Sequence, residues 1–102
     1  MIAHLAGELI AAGETWVVID VGGVGYRVTV TRAAAEALRG TEGAVRLHTR
    51  MIVRDDDILL YGFLHPGELD LFGILITVTG IGPQTAMNIL SRTSLEEFAA
   101  AV

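Results

Sequence analysis

The run Trp16-Val17-Val18-Ile19-Asp20-Val21-Gly22-Gly23-Val24-Gly25-Tyr26-Arg27-Val28-Thr29-Val30 decides how the first half of the chain folds. Trp16 to Val21 is rich in β-branched residues and reads as a strand, Gly22-Gly23 supplies a turn, and Tyr26 to Val30 alternates apolar and polar side chains. Period-two alternation is the mark of a half-buried strand, so 16–30 is expected to be a β-hairpin. Gly22-Gly23-Val24-Gly25 resembles a dinucleotide fingerprint only superficially, because that motif opens a helix and here a strand follows.

The same pattern extends in both directions. Ile2 to Ala12 carries apolar residues around Gly7, where a long first strand can bend. Thr31 to Arg39 is alanine-rich and begins with a threonine suited to capping, which predicts a short helix. Ala44 to Val53 places Val45, Leu47 and Thr49 on one face and Arg46, His48 and Arg50 on the other, and Ile58 to Phe63 follows as a last strand. Three strands, a short helix and two more strands form the pattern of a five-stranded Greek-key β barrel, the OB-fold.

After Phe63 the period changes. Pro66 suits a first helical turn, and Leu69, Phe72 and Ile76 make an apolar stripe at spacings of three and four. Gly80-Ile81-Gly82-Pro83 interrupts it, and Ala86, Ile89 and Leu90 resume an apolar face. Ser94-Leu95-Glu96-Glu97 has the form of a capping box opening one more helix, about two turns long and marginal alone. The expected division is an OB-fold domain over 1–63 and a helix-hairpin-helix domain over 64–102.

Composition limits what such a chain can do. Its 102 residues suffice for one core with an appendage, and at 52% hydrophobic and 19% charged it lies far from the composition of disorder. All seven basic residues are arginine, against twelve acids, for a formal charge of −5. A general phosphate binder relies on cations that displace counterions, so any nucleic-acid site here must work against the net charge. Cysteine is absent, which excludes disulfides and thiolate metal sites. No apolar run approaches the roughly 18 to 20 residues of a membrane span, and a cytoplasmic protein without membrane partners is expected.

Three constellations bear on chemistry. In Thr79-Gly80-Ile81-Gly82-Pro83-Gln84-Thr85-Ala86, a Gly-x-Gly reversal between helices matches a helix-hairpin-helix. Its glycines allow backbone to approach a phosphate, and amides of Gly80, Ile81, Gly82, Gln84 and Thr85 can donate without side-chain charge. An ordinary αα-corner with Ile81 plugging the core fits the same residues. It is no Walker loop, since no Gly-Lys-Ser/Thr follows.

The second constellation is Asp55-Asp56-Asp57, which has three readings: a solvated hairpin tip, a metal site, or a negative field that repels phosphates. Consecutive strand residues face alternate sides, which disfavours convergence on one ion. The third is dispersed: His4, His48 and His65 share no ligand spacing, and Trp16 and Tyr26 can either fill the core or stack bases. No serine has the surroundings of a hydrolase nucleophile. Neither a cofactor nor a metal is expected.

Taken in order, Met1-Ile2, Val21-Gly22-Gly23-Val24-Gly25-Tyr26, Val53-Arg54-Asp55-Asp56, Leu60-Tyr61-Gly62-Phe63, Leu71-Phe72, Gly80-Ile81-Gly82-Pro83, Ala86 and Ile89-Leu90-Ser91 resemble the RuvA family along the whole chain. These are Holliday-junction-binding subunits of the bacterial RuvAB branch-migration machine, acting in recombination and repair. The resemblance implies an OB-fold followed by helix-hairpin-helix motifs, a homotetramer holding a four-way DNA junction, and no enzymatic activity. ATP hydrolysis would belong to the RuvB motor. It makes Asp55 and Asp56 an acidic pin near the four-fold axis, with Arg54 beside them. Gathered from four copies, those carboxylates would act within a Debye length of about 8 Å to part strands at the crossover.

This chain departs from that pattern. Gln84 and Thr77 stand where lysines are usual, only Arg92 is basic after Leu64, and Asp57 adds a third acid. A second hairpin and a RuvB-recruiting C-terminal domain are expected beyond residue 102, so the chain reads as an N-terminal portion. A protein-interaction or oligomerisation module with lost DNA affinity is the alternative, and a metal-dependent nuclease built on the aspartates a remote third.

Overall fold

A computed structural model describes residues 1–92. Five strands, β1 (His4–Ala12), β2 (Trp16–Val21), β3 (Val24–Thr29), β4 (Ala44–Val53) and β5 (Ile58–Phe63), close into a barrel in the order β1-β2-β3-β5-β4. Helix α1 (Arg32–Arg39) lies between β3 and β4, and α2 (Pro66–Leu75) and α3 (Pro83–Arg92) follow. This is the expected OB-fold with a helical segment after it. The capping box at Ser94 lies outside the described residues.

The hairpin over 16–30 forms with Val21 opposite Val24. Gly22 (φ 61°) and Gly23 (φ 93°) are both left-handed, as a two-residue turn matching strand twist requires, and the Gly23 amide donates to Asp20 Oδ1 at 2.9 Å. Because the two glycines complete the turn, β3 resumes at Val24, two residues ahead of the expected Tyr26. A bulge between Leu9 and Ala11 lets β1 bend, pairing with β2 on one side and β4 on the other. At Gly7 the backbones approach so closely that a Cβ would meet the Asp20 carbonyl.

Thr31 caps α1 as expected, its Oγ1 accepting from the Ala34 amide at 3.2 Å. The helix turns Ala34, Ala35 and Leu38 onto the barrel core, joining Val17, Ile19, Val28, Val30, Val45 and Leu47. Alternation along β5 then creates a second core outside the barrel: Leu60 faces inward, while Tyr61 and Phe63 face out beneath the helices. Phe72 is fully buried there, its ring 5.2 Å from Tyr61 and 5.1 Å from Phe63.

The helical stripes differ from expectation. In α2 the buried residues are Leu71, Phe72 and Leu75, with Leu69 only partly buried and Ile76 partly buried just past the helix end. In α3, Met87 is buried with Ala86 and Leu90, while Ile89 is partly buried. Packing against both β5 and the neighbouring helix widens the covered arc beyond one narrow stripe.

Candidate nucleic-acid interface

The turn between α2 and α3 is closed mainly by backbone hydrogen bonds. The amides of Thr77 and Val78 close the end of α2 on the Ile74 and Leu75 carbonyls, each at 3.1 Å, and Thr77 Oγ1 donates to the Ile74 carbonyl at 2.6 Å. The Ile81 amide then donates back to the Val78 carbonyl at 3.1 Å, with Gly80 at φ 89° between them. Gly82 caps α3 with its carbonyl, which accepts from Ala86 at 3.0 Å, and Pro83 occupies the first helical position, where no amide is needed.

Gly80 and Gly82 are exposed, and a Cβ built on either would meet nothing within 4 Å. The loop is open to a ligand. Among the described residues, the amides of Gly80, Gly82, Gln84 and Thr85 have no protein acceptor, as the first turn of a helix leaves its donors unpaired. Ile81 is different. Its amide is consumed by Val78 and its side chain packs on the second core, so it shapes the turn and offers no donor. The Gln84 side chain lies along α3, with Nε2 3.3 Å from Asn88 Oδ1.

At the C-terminal end of β4, Val53 pairs with Ile58 and the Arg54 amide donates to the Asp57 carbonyl at 2.9 Å. That bond closes a tight tip whose outermost residues are Asp55 and Asp56. All four residues of the tip are exposed, and among the described residues none forms an ion pair. Below them Val53 and Ile58 are each 65% exposed, so the tip stands on an uncovered apolar base. Tyr61 lies near enough to sense the tip: burial raises its phenol pKa above 10.0, Arg54 lowers it, and Asp57 raises it further.

No group of three or more His, Cys, Asp or Glu among the described residues is arranged to hold a metal, which leaves the nuclease reading without a ligand set. Tyr26 packs against the barrel core, and the Trp16 ring is covered by the Arg27 guanidinium 4.6 Å from its centre. Neither offers an open stacking platform. His4 and His48, unrelated in sequence spacing, face each other across β1 and β4. An open cleft of about 640 Å³ between β4 and α2 is lined by Thr49, Arg50, Leu69, Asp70, Gly73, Ile74 and Thr77. Sequence reading gave no hint of it beyond the polar face of β4. No described helix is long and apolar enough to cross a membrane.

Residues 1–62 match the family described as RuvA N terminal domain, and residues 72–102 match the SAM-like helix-hairpin-helix tandem. A protein named Holliday junction branch migration complex subunit RuvA from Symbiobacterium thermophilum is 50% identical over 102 residues, covering 100% of this chain and 50% of the relative. Proteins of the same name from Syntrophotalea carbinolica and Opitutus terrae are 50% and 40% identical, over 90% and 100% of this chain and 46% and 52% of their own lengths. The chain thus spans about half the length of the curated relatives it matches. A closed barrel with an acidic hairpin tip, followed by a glycine hairpin between helices and matched in sequence over its first 62 residues, places the chain in the RuvA family.

Proposed function

We propose that the chain binds four-way DNA junctions by shape, as part of the non-catalytic subunit of a branch-migration complex. The observation that carries this is the uncovered Gly80–Gly82 loop, where the amides of Gly80, Gly82, Gln84 and Thr85 have no acceptor among the described residues. Main-chain donors at a helix start hold phosphate oxygens without reading bases, so little sequence preference is expected. They also need no side-chain cation, which suits a chain of charge −5.

In this reading Asp55 and Asp56 are the pin, and Arg54 sets the base of the tip. Four copies would bring the pins to one axis, where they repel phosphates and keep the crossover open. The RuvB motor would be the partner that hydrolyses ATP. The uncovered Val53 and Ile58 support burial of the pin base between copies, which also agrees with the alternative of a pure oligomerisation module.

Fluorescence anisotropy of a labelled four-way junction against a linear duplex of equal length separates the two. Preference for the junction, with four copies bound by sedimentation, supports the proposal, and equal or absent binding refutes it. The double variant Asp55→Asn, Asp56→Asn should keep or tighten junction binding while leaving the melting temperature unchanged, because both side chains are exposed and unpaired. A clear loss of affinity would show that these carboxylates do not repel.

A further inference from the structure

The seven arginines divide sharply by what they touch. Arg27 lies over Trp16, Arg32 pairs with Glu14 at 3.2 Å, and Arg39 donates to the Gly13 carbonyl at 3.0 Å. Among the described residues the other four, Arg46, Arg50, Arg54 and Arg92, make no ion pair and no side-chain hydrogen bond. Three of those four lie on β4 or the tip it leads into. In a chain with more acids than bases, this concentration of uncommitted cations on one strand needs an explanation.

Their geometry is ordered. Arg46, His48 and Arg50 alternate with the buried Val45, Leu47 and Thr49, so all three point from the outer face of the barrel. At a rise of about 3.3 Å per residue, neighbours in this row stand about 6.6 Å apart, close to the step between successive phosphates on one DNA strand. The Thr49 amide donates to the Ala3 carbonyl, which makes the next pair, His4 and His48, a non-hydrogen-bonded pair with side chains close together. His4 therefore widens the row by a second imidazole.

Two carboxylates face this region. Glu8 on β1 lies diagonal to Arg46, and Asp70 on α2 lines the cleft with Arg50, yet neither forms an ion pair with them. The cleft connects the row to the other half of the molecule, because its far lining residue is Thr77, three positions before Gly80. Arg54 continues the strand toward the pin.

We propose that the outer face of β4 is a second phosphate-binding rail, in which Arg46 and Arg50, with His4 and His48 between them, take the backbone of a DNA arm. It rests on the DNA-binding reading above and supplies the charge that Gln84 and Thr77 do not. Amide donors at the glycine hairpin fix the position of one phosphate, and the rail carries the electrostatic attraction.

The test compares the 102-residue chain with Arg46→Gln, Arg50→Gln and with the control Arg32→Gln, Arg39→Gln, which removes the same charge from committed arginines. Anisotropy titrations on a four-way junction and on linear duplex, from low to moderate salt, give affinity and salt slope. Loss of two phosphate contacts should weaken binding about tenfold and flatten the log–log salt slope by about two, whereas the control changes neither comparably. Equal loss in both variants, or none in the rail variant, overturns the rail while leaving junction binding intact. If the parent chain binds duplex as well as junction but the rail variant binds neither, the rail stands and the junction reading fails. If the parent chain binds no DNA, both fall. Arg46→Gln alone, at an exposed position that does not line the cleft with α2, should give about a threefold loss and guards against a double variant that fails to fold.

Discussion

The barrel interior and the helix pair are built on opposite faces of one strand, and they are held in different ways. β5 sends Leu60 and Gly62 inward, where a Cβ on Gly62 would stand 2.5 Å from Val28 Cγ1. It sends Tyr61 and Phe63 outward under α2 and α3. The barrel side is closed by backbone pairing around all five strands, narrowing to the single pair Thr29 and Tyr61 between β3 and β5, so side-chain packing is backed by main-chain hydrogen bonds. The helix side has only side chains. Helices of ten residues are marginal alone, so α2 and α3 depend on the aromatic contact with β5 for their placement. The half that carries the glycine hairpin is therefore positioned by the half that carries the acidic tip.

Truncating one residue in each core tests that asymmetry most severely. Phe72→Ala removes the fully buried ring between Tyr61 and Phe63 and should cost about 3–5 kcal/mol. Because no barrel ladder passes through α2, the loss should fall on the helices. Hydrogen exchange should show amides of α2 and α3 losing protection while those of β1 to β3 keep theirs. Leu47→Ala, at an equally buried barrel position, should cost about 2–5 kcal/mol and lower protection everywhere. Uniform loss in the Phe72 variant would mean the two cores act as one.

The same asymmetry governs what could be read from sequence. Strand alternation in 16–30 and 44–53, the Gly22-Gly23 turn and the Thr31 cap are local devices, and each forms as its residues predict, apart from the two-residue earlier start of β3. The face of α2 was less legible. Its sequence, PGELDLFGIL, is apolar on several sides, so spacing could not show that Leu71 and Leu75, and not Leu69 and Ile76, flank Phe72 in the centre of the contact. At the candidate site, Gly80, Gly82 and the aspartates could be picked out by type. That Ile81 spends its amide on Val78 is a matter of turn geometry, which composition does not reveal. The row on β4 was visible as period two, but its meaning emerged only once the other arginines were seen to be engaged.

The two hairpin glycines allow a finer cut, between building the loop and using it. Gly80 has φ 89°, so Gly80→Ala forces an L side chain into the left-handed region and should cost about 1–2 kcal/mol. Gly82 is outside that region with open space around it, and Gly82→Ala should cost under about 1 kcal/mol, through the weaker capping of alanine. Under the proposed function, its methyl group would nonetheless stand where a phosphate approaches. Gly80→Ala should thus lower the melting temperature, and Gly82→Ala should lower junction affinity with little thermal change. The opposite assignment would place the phosphate site away from Gly82.

The smallest effect is expected at the seam itself, in alkaline solution. Burial, opposed by Arg54 and assisted by Asp57, raises the Tyr61 pKa above its unfolded value of 10.0. The unfolded chain then loses its proton first as pH rises. Between the two pKa values the native state holds more protons, so unfolding becomes easier with pH. The stabilisation is fully present below pH 10 and lost as pH climbs through the folded pKa. The chain has no lysine and no cysteine, so its two tyrosines are the only side chains whose ordinary pKa values fall in that window. Urea midpoints from pH 8 to 11 should decline for the parent chain and decline less for Tyr61→Phe. Since Tyr61 packs on Phe72, the decline should be read first in the protection of α2, and an equal decline in both proteins would remove Tyr61 from the seam's energetics.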